Sequence, residues 1–119
     1  MTRILVVDDS AVDRQVVGGL LEQRADFEVA YAENGTDALL KMERSCPDVV
    51  VTDINMPQKN GLELVRAMRV HFGGVPVILI TAQGSEELAV QALEHGAASY
   101  VPKMMLSGKL IPTVDEVLA

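Results

Sequence analysis

Five polar residues stand at or just after the ends of short apolar segments: Asp8, Asp9, Asp53, Thr81 and Lys103. Three carboxylates brought close together repel one another, and at least one would stay protonated at neutral pH without a compensating charge. The positive charge of a bound Mg²⁺ ion offsets this repulsion, and Mg²⁺ prefers oxygen ligands. A nearby backbone carbonyl could supply a further ligand to such a site. A bound cation and the lysine ammonium could then neutralise a phosphoryl group while Asp53 attacks its phosphorus.

The segments before these polar residues have the composition of buried strands. Residues 4–7, 49–51 and 75–80, which precede Asp8, Asp53 and Thr81, are rich in Val, Ile and Leu, and residues 27–32 and 99–101 are two further strand candidates. Helix-like stretches separate them, and this alternation predicts βαβ units, a parallel sheet and helices on both of its faces. Parallel strands end at a common edge, and open α/β sheets carry their sites there. We therefore expect the five polar residues to meet.

The first helix has a clear start and an unusual interior. Ser10 can cap it, and a one-sided apolar stripe follows, formed by Val16, Val17, Leu20 and Leu21. Gly18 and Gly19 interrupt the helix at a cost of about 1 kcal/mol each relative to alanine. The sequence offers no reason for this pair.

Two later helices also carry local signals. Thr36 is the predicted cap of the second helix, which turns Ala38, Leu39 and Met42 inward. Pro112 lies within the last helical stretch, residues 106–119, where it should kink the helix or delay its start.

Composition limits the possible functions. The 119 residues suit one domain, and a formal charge of −7 with 3% aromatic residues opposes binding to nucleic acid or to anionic membranes. Cys46 is the only cysteine, so an intrachain disulfide and a cysteine-based zinc site are excluded. The first residues lack the apolar stretch of a signal peptide, which favours a cytoplasmic location.

The chain resembles the receiver domains of two-component response regulators over residues 3 to about 118. The matching residues are Asp8-Asp9-Ser10, Val51-Thr52-Asp53, Met56-Pro57, Gly61, Ile80-Thr81-Ala82, Gly96-Ala97 and Tyr100 to Lys103. The resemblance implies a single receiver domain over residues 1–119, which could be the N-terminal part of a longer protein. It also implies a doubly wound α/β fold with five parallel strands in the flavodoxin-like order 2-1-3-4-5.

The resemblance assigns roles to the acidic residues. Asp53 matches the phosphoacceptor, Asp9 a direct ligand of Mg²⁺ or Mn²⁺, and Asp8 a ligand that acts largely through water. Asn55 matches the residue whose backbone carbonyl binds the metal.

The resemblance also implies a switch. Thr81 matches the hydroxyl that moves to the phosphoryl group, Lys103 the cation that contacts it, and Tyr100 the aromatic residue buried after phosphorylation. The implied donor is a sensor histidine kinase or a histidine phosphotransfer protein, and the implied recipient is a downstream protein or a fused effector domain. The chain would then be a monomer or a dimer formed on phosphorylation.

One departure leaves alternatives open. The family usually has a cis proline after the lysine, whereas Met104 follows Lys103 here, so a trans peptide is expected. A receiver-like domain that binds its partner without phosphorylation is therefore an alternative to a switch. An aspartate-based phosphatase would need a second aspartate two residues after Asp53, where Asn55 stands.

Overall fold

The computed structural model describes residues 1–56 and 60–119, so Pro57 of the Met56-Pro57 pair lies outside the described residues. Within them, five strands alternate with five helices. The strands are β1 (Thr2–Val7), β2 (Phe27–Ala32), β3 (Val49–Asp53), β4 (Val77–Thr81) and β5 (Ser99–Pro102). The helices are α1 (Ala11–Leu21), α2 (Gly35–Arg44), α3 (Gly61–His71), α4 (Glu86–Glu94) and α5 (Leu106–Leu118), and a single 3₁₀ turn spans Lys103–Met105.

The strands form one parallel sheet in the order β2-β1-β3-β4-β5, which confirms the predicted fold. The winding changes direction between β1 and β3, where Val6 pairs with Val51. All five residues of β3 are buried, since the strand has neighbours on both sides and helices on both faces. Asp53 therefore ends the central strand of the sheet.

Helices cover both faces and create two apolar cores. Leu5 and Val7 of β1 point into the core beneath α2, α3 and α4, whereas Ile4 and Val6 point into the core beneath α1 and α5. This is why β1 is apolar at consecutive positions. Among the helices of residues 1–56 and 60–119, none combines the length and the apolar character that a membrane span requires.

Helix α1 begins as predicted, because the Ser10 hydroxyl accepts a hydrogen bond from the backbone N–H of Asp13. Its apolar stripe is narrower than the sequence suggests. Val17 and Leu21 are buried, but Val16 is 51% exposed. The prediction that Val16 packs inward is wrong because the core beneath α1 reaches only the Val17 and Leu21 side of the helix.

The second helix begins earlier than predicted. Asn34, not Thr36, is its cap, and the Asn34 side chain accepts a hydrogen bond from the Asp37 N–H at 2.8 Å. Asn34 has extended backbone and the helix starts at Gly35, so Thr36 already lies within the first turn. A cap needs the non-helical conformation that Asn34 has.

Pro112 lies inside α5, and the helix starts at Leu106 without delay. Proline cannot donate to the carbonyl four residues earlier, which belongs to Gly108. Gly108 and Pro112 are both exposed, so water can reach this carbonyl. The Thr113 hydroxyl donates to the Lys109 carbonyl at 2.7 Å in the same turn.

The structure supplies a reason for Gly18. This residue is buried, and a Cβ at this position would overlap the ring and hydroxyl of Tyr31. The Tyr31 hydroxyl donates to Glu22 at 2.7 Å, which fixes the ring against α1. Gly19 has open space where its Cβ would lie.

The two glycines should therefore respond differently to alanine. Gly19→Ala should raise the free energy of unfolding by about 0.5–1 kcal/mol, since alanine favours the helix and meets nothing. Gly18→Ala should be less stable than Gly19→Ala by at least about 1 kcal/mol, because Tyr31 must leave its hydrogen bond. Urea unfolding of both variants measures the difference. Equal stabilities would show that Tyr31 does not require Gly18.

Candidate functional site

The structure brings three aspartates together at the carboxyl edge of the sheet. Asp8 and Asp9 follow the end of β1, and Asp53 ends the neighbouring strand β3. One carboxylate oxygen from each residue lies within 4.8 Å of the other two. The predicted convergence of these residues is therefore present.

The three aspartates differ in how deeply they are buried. Asp8 and Asp53 are only 2% and 6% exposed, whereas Asp9 is exposed. The Asp8 carboxylate accepts a hydrogen bond from the Ser10 N–H at 3.0 Å, and Asp53 accepts one from the Asn55 N–H at 3.3 Å. Each buried carboxylate thus has one backbone donor.

The pKa values follow from this environment. Burial raises the pKa of Asp8 to about 6, opposed by the Ser10 N–H and assisted by the charges of Asp53 and Asp13. Burial also raises the pKa of Asp53, opposed by the Asn55 N–H and the charge of Lys103. Both groups therefore hold their protons more tightly than free aspartate, as expected for crowded carboxylates.

The donor set fits a small hard cation. Oxygen ligands on opposite sides of Mg²⁺ lie about 4.2 Å apart, twice a bond length of about 2.1 Å. The carboxylate oxygens of Asp8, Asp9 and Asp53 lie within 4.8 Å of one another, a limit slightly above this distance. Small side-chain adjustments would bring them into ligand range, and the exposure of Asp9 leaves room for water ligands.

Lys103 lies at the same edge but has a different partner. Its ammonium donates to the Asp13 carboxylate at 3.0 Å, and in residues 1–56 and 60–119 it forms no ion pair with the three clustered aspartates. Burial lowers the pKa of Lys103, but the Asp13 hydrogen bond and the charge of Asp53 outweigh it and raise this pKa. The lysine is fully charged at neutral pH.

Asp13 was not among the residues that the sequence singled out. It occupies the third position of α1, a helix that begins at Ala11 just after Asp8 and Asp9. An acidic residue in the first turn of a helix that starts beside the cluster is the signal that could have identified Asp13.

The peptide bond after Lys103 is trans, as expected. The described residues contain no cis peptide, and Lys103 opens the 3₁₀ turn that leads into α5. Met104 is 87% exposed at this turn. The usual proline is therefore replaced by a side chain that faces solvent.

Thr81 and Asn55 both flank the aspartates. Thr81 is buried at the end of β4, where it pairs with Pro102 of β5. The Asn55 side chain donates to the Ser85 hydroxyl at 2.5 Å, which connects the segment after β3 to the start of α4.

Tyr100 is half exposed, with 49% of its surface accessible. It borders a cavity of about 560 Å³ that also contacts Thr81, Ala82 and Lys103. Space for a tyrosine ring therefore lies beside the candidate switch residue Thr81.

Comparison with known proteins identifies the class. Residues 4–115 match the response regulator receiver domain family, and the chain belongs to this family. It is a receiver domain of the two-component response regulators, a phosphorylation-activated class. A receiver domain protein from Clostridium thermocellum has a TM-score of 0.92 at 29% identity, covering 99% of this chain and 94% of that one. Chemotaxis protein CheY4 of Vibrio cholerae has a TM-score of 0.90 at 33% identity, covering 99% of both chains.

The chain is also similar to one region of a longer curated protein. A protein-glutamate methylesterase/protein-glutamine glutaminase from Nocardioides sp. is 41% identical over 97% of this chain, but the match covers 32% of that protein. The chain spans about a third of the length of the curated relatives it matches. The activity in their name belongs to those longer proteins.

The raised pKa values predict a dependence of stability on pH. A carboxyl with a higher pKa in the folded chain than in the unfolded chain loses stabilisation as it ionises. In metal-free buffer, the contribution of Asp8 to stability should therefore fall as the pH rises from about 4 to about 6. Asp8→Asn should raise the free energy of unfolding at pH 7 by on the order of 2 kcal/mol, with a smaller gain at pH 4.5.

Urea unfolding in EDTA at the two pH values tests this. Asp48→Asn is the matched control: Asp48 is exposed at the opposite end of β3, and the asparagine carbonyl can still accept the hydrogen bond that the Arg3 N–H donates at 2.8 Å. If Asp8→Asn destabilises the chain equally at both pH values, the repulsion at the cluster is too weak to matter.

Proposed function

We propose that Asp53 accepts a phosphoryl group from a phosphohistidine of a sensor histidine kinase or a histidine phosphotransfer protein. Asp8, Asp9, Asp53 and the Asn55 backbone carbonyl would hold the required Mg²⁺ or Mn²⁺. The observation that carries this proposal is the cluster of three carboxylates at the carboxyl edge of the sheet, in a member of the receiver family.

The buried carboxylate is suited to nucleophilic attack. A bond would form between an Asp53 oxygen and phosphorus as the bond from phosphorus to the donor imidazole breaks. Bound Mg²⁺ would supply charge neutralisation to the carboxylates and to the phosphoryl oxygens. Because burial raises the pKa of Asp53, the cation would also favour the ionised form that attacks.

Lys103 and Thr81 would bind the transferred group. The ammonium and the hydroxyl both lie at the ends of the strands that follow β3 in the sheet. Ala82 is small and would leave room for the phosphoryl oxygens. Tyr100 would then enter the cavity beside Thr81 and change the surface formed by α4, β5 and α5.

We further propose that the chain acts as one receiver unit and on no external metabolite. Asn55 stands where a phosphatase of the aspartate type would need its second acid.

The donor protein would dock beside the site. Val12 and Met104, which are 70% and 87% exposed, offer a surface for it. The output through a partner or a fused effector domain, the oligomeric state and a cytoplasmic location stay predictions.

Phosphorylation can be measured directly. Incubation with acetyl phosphate and Mg²⁺ should add one phosphoryl group, about 80 Da, and hydroxylamine should remove it because the product is an acyl phosphate. Intact mass spectrometry gives the stoichiometry. The label should be absent from Asp53→Asn and after EDTA treatment.

Asp48→Asn is the control here as well, because it removes an exposed carboxylate at the other end of β3. It should be labelled like the wild type. If the wild type takes up no label and binds no Mg²⁺, the proposal fails and a domain that binds its partner without phosphorylation becomes the better account.

The switch has its own prediction. In a Tyr31→Phe background Tyr100 is the only tyrosine, and the chain has no tryptophan. Beryllofluoride with Mg²⁺, an analogue of the phosphoryl group, should reduce acrylamide quenching of Tyr100 fluorescence by about half as the ring enters the cavity. Thr81→Ala should weaken this change. Quenching that stays constant in the Thr81-containing protein would show that Tyr100 does not move inward.

A further inference from the structure

The ion pair between Lys103 and Asp13 joins two parts of the chain that are 90 residues apart. The Lys103 ammonium lies 3.0 Å from the Asp13 carboxylate, and the two side chains are 36% and 39% exposed. Lys103 opens the turn after β5, whereas Asp13 lies in the first turn of α1. The pair therefore spans the edge of the sheet beside the aspartate cluster.

Asp13 is held in position by the start of its helix. Its backbone N–H donates to the Ser10 hydroxyl, the cap of α1. Ser10 in turn donates its own N–H to the Asp8 carboxylate at 3.0 Å. Asp13 thus has a fixed place next to the cluster, and its charge contributes to the raised pKa values of Asp8 and Asp53.

Without Asp13, the Lys103 ammonium could bind to the clustered carboxylates instead. The three clustered carboxylates carry the densest negative charge near Lys103, and a flexible four-carbon side chain adapts readily to a new partner. An ammonium among these carboxylates would neutralise part of their charge and occupy space that a divalent cation needs. The residue that pairs with Lys103 in the unphosphorylated protein therefore affects the affinity of the cluster for Mg²⁺.

We propose that Asp13 is a positioning residue that keeps the Lys103 ammonium away from Asp8, Asp9 and Asp53 in the unphosphorylated protein. The cluster is thereby left open to Mg²⁺, while Lys103 stays close enough to meet a phosphoryl group. This inference rests on the proposed function, because it concerns the lysine that would bind the phosphoryl group.

A double-mutant cycle tests the inference. The dissociation constant of Mg²⁺ is measured by isothermal titration calorimetry at pH 7 for the wild type, Asp13→Asn, Lys103→Met and the double variant, without a phosphodonor. Asp13→Asn should weaken Mg²⁺ binding by about three- to tenfold when Lys103 is present, because the released ammonium competes for the carboxylates. The same change in the Lys103→Met background should have less than about a twofold effect.

Two further variants separate positioning from charge alone. Asp13→Glu keeps a carboxylate within reach of Lys103 and should retain most of the wild-type Mg²⁺ affinity. Asp115→Asn removes the same charge from another ion pair, the one with Arg24 at 3.0 Å on the later part of α5, and should not change Mg²⁺ binding. Thermal unfolding of every variant verifies that it is folded.

The outcomes are distinct. If Asp13→Asn weakens Mg²⁺ binding by the same factor in the wild-type and in the Lys103→Met background, Asp13 acts only through its own charge and the inference is overturned. An unchanged affinity in Asp13→Asn overturns it as well. If the wild type neither binds Mg²⁺ nor accepts a phosphoryl group from acetyl phosphate, the proposed function itself fails. That outcome is distinguishable from failure of the inference alone, in which the wild type binds Mg²⁺ but Asp13→Asn has the same effect in both backgrounds.

Discussion

The electrostatic repulsion among three carboxylates at the carboxyl edge of the sheet is the constraint on which the rest of the site depends. Asp8 follows β1 and Asp53 ends the neighbouring central strand β3, where helices on both faces exclude water. Carboxylates in such a place are costly unless protons, hydrogen bonds or cations compensate them. The Ser10 and Asn55 N–H groups and the nearby Lys103 ammonium provide part of this compensation, and the remainder is what a divalent cation would supply.

Much of this arrangement could be predicted from the sequence because its signals are local. Segments such as residues 4–7 and 49–51 are apolar at every position, which only a strand covered on both faces requires. Once the strands are known to be parallel, their polar ends must share one edge, so the meeting of Asp8, Asp9 and Asp53 follows from topology. The strand order itself came from the family resemblance, since the residue pattern alone does not specify it.

The features that escaped prediction depend on contacts between distant or competing residues. Gly18 is explained by Tyr31 of another element, and Lys103 is paired with Asp13 across 90 positions. Asn34 and Thr36 are both acceptable caps, and only the backbone conformation at residue 34 decides between them. No local pattern in a single sequence contains this information.

The edge of the sheet also explains how chemistry at Asp53 could reach the surface. Thr81 pairs with Pro102, and Pro102 lies between the Tyr100-Val101 segment and Lys103. A shift of the Thr81 hydroxyl or of the Lys103 ammonium toward a phosphoryl group would therefore act on the short strand that carries Tyr100. Because β5 has only four residues and lies at the edge of the sheet, few contacts oppose its adjustment. The proposed switch thus acts on a short edge strand of the sheet.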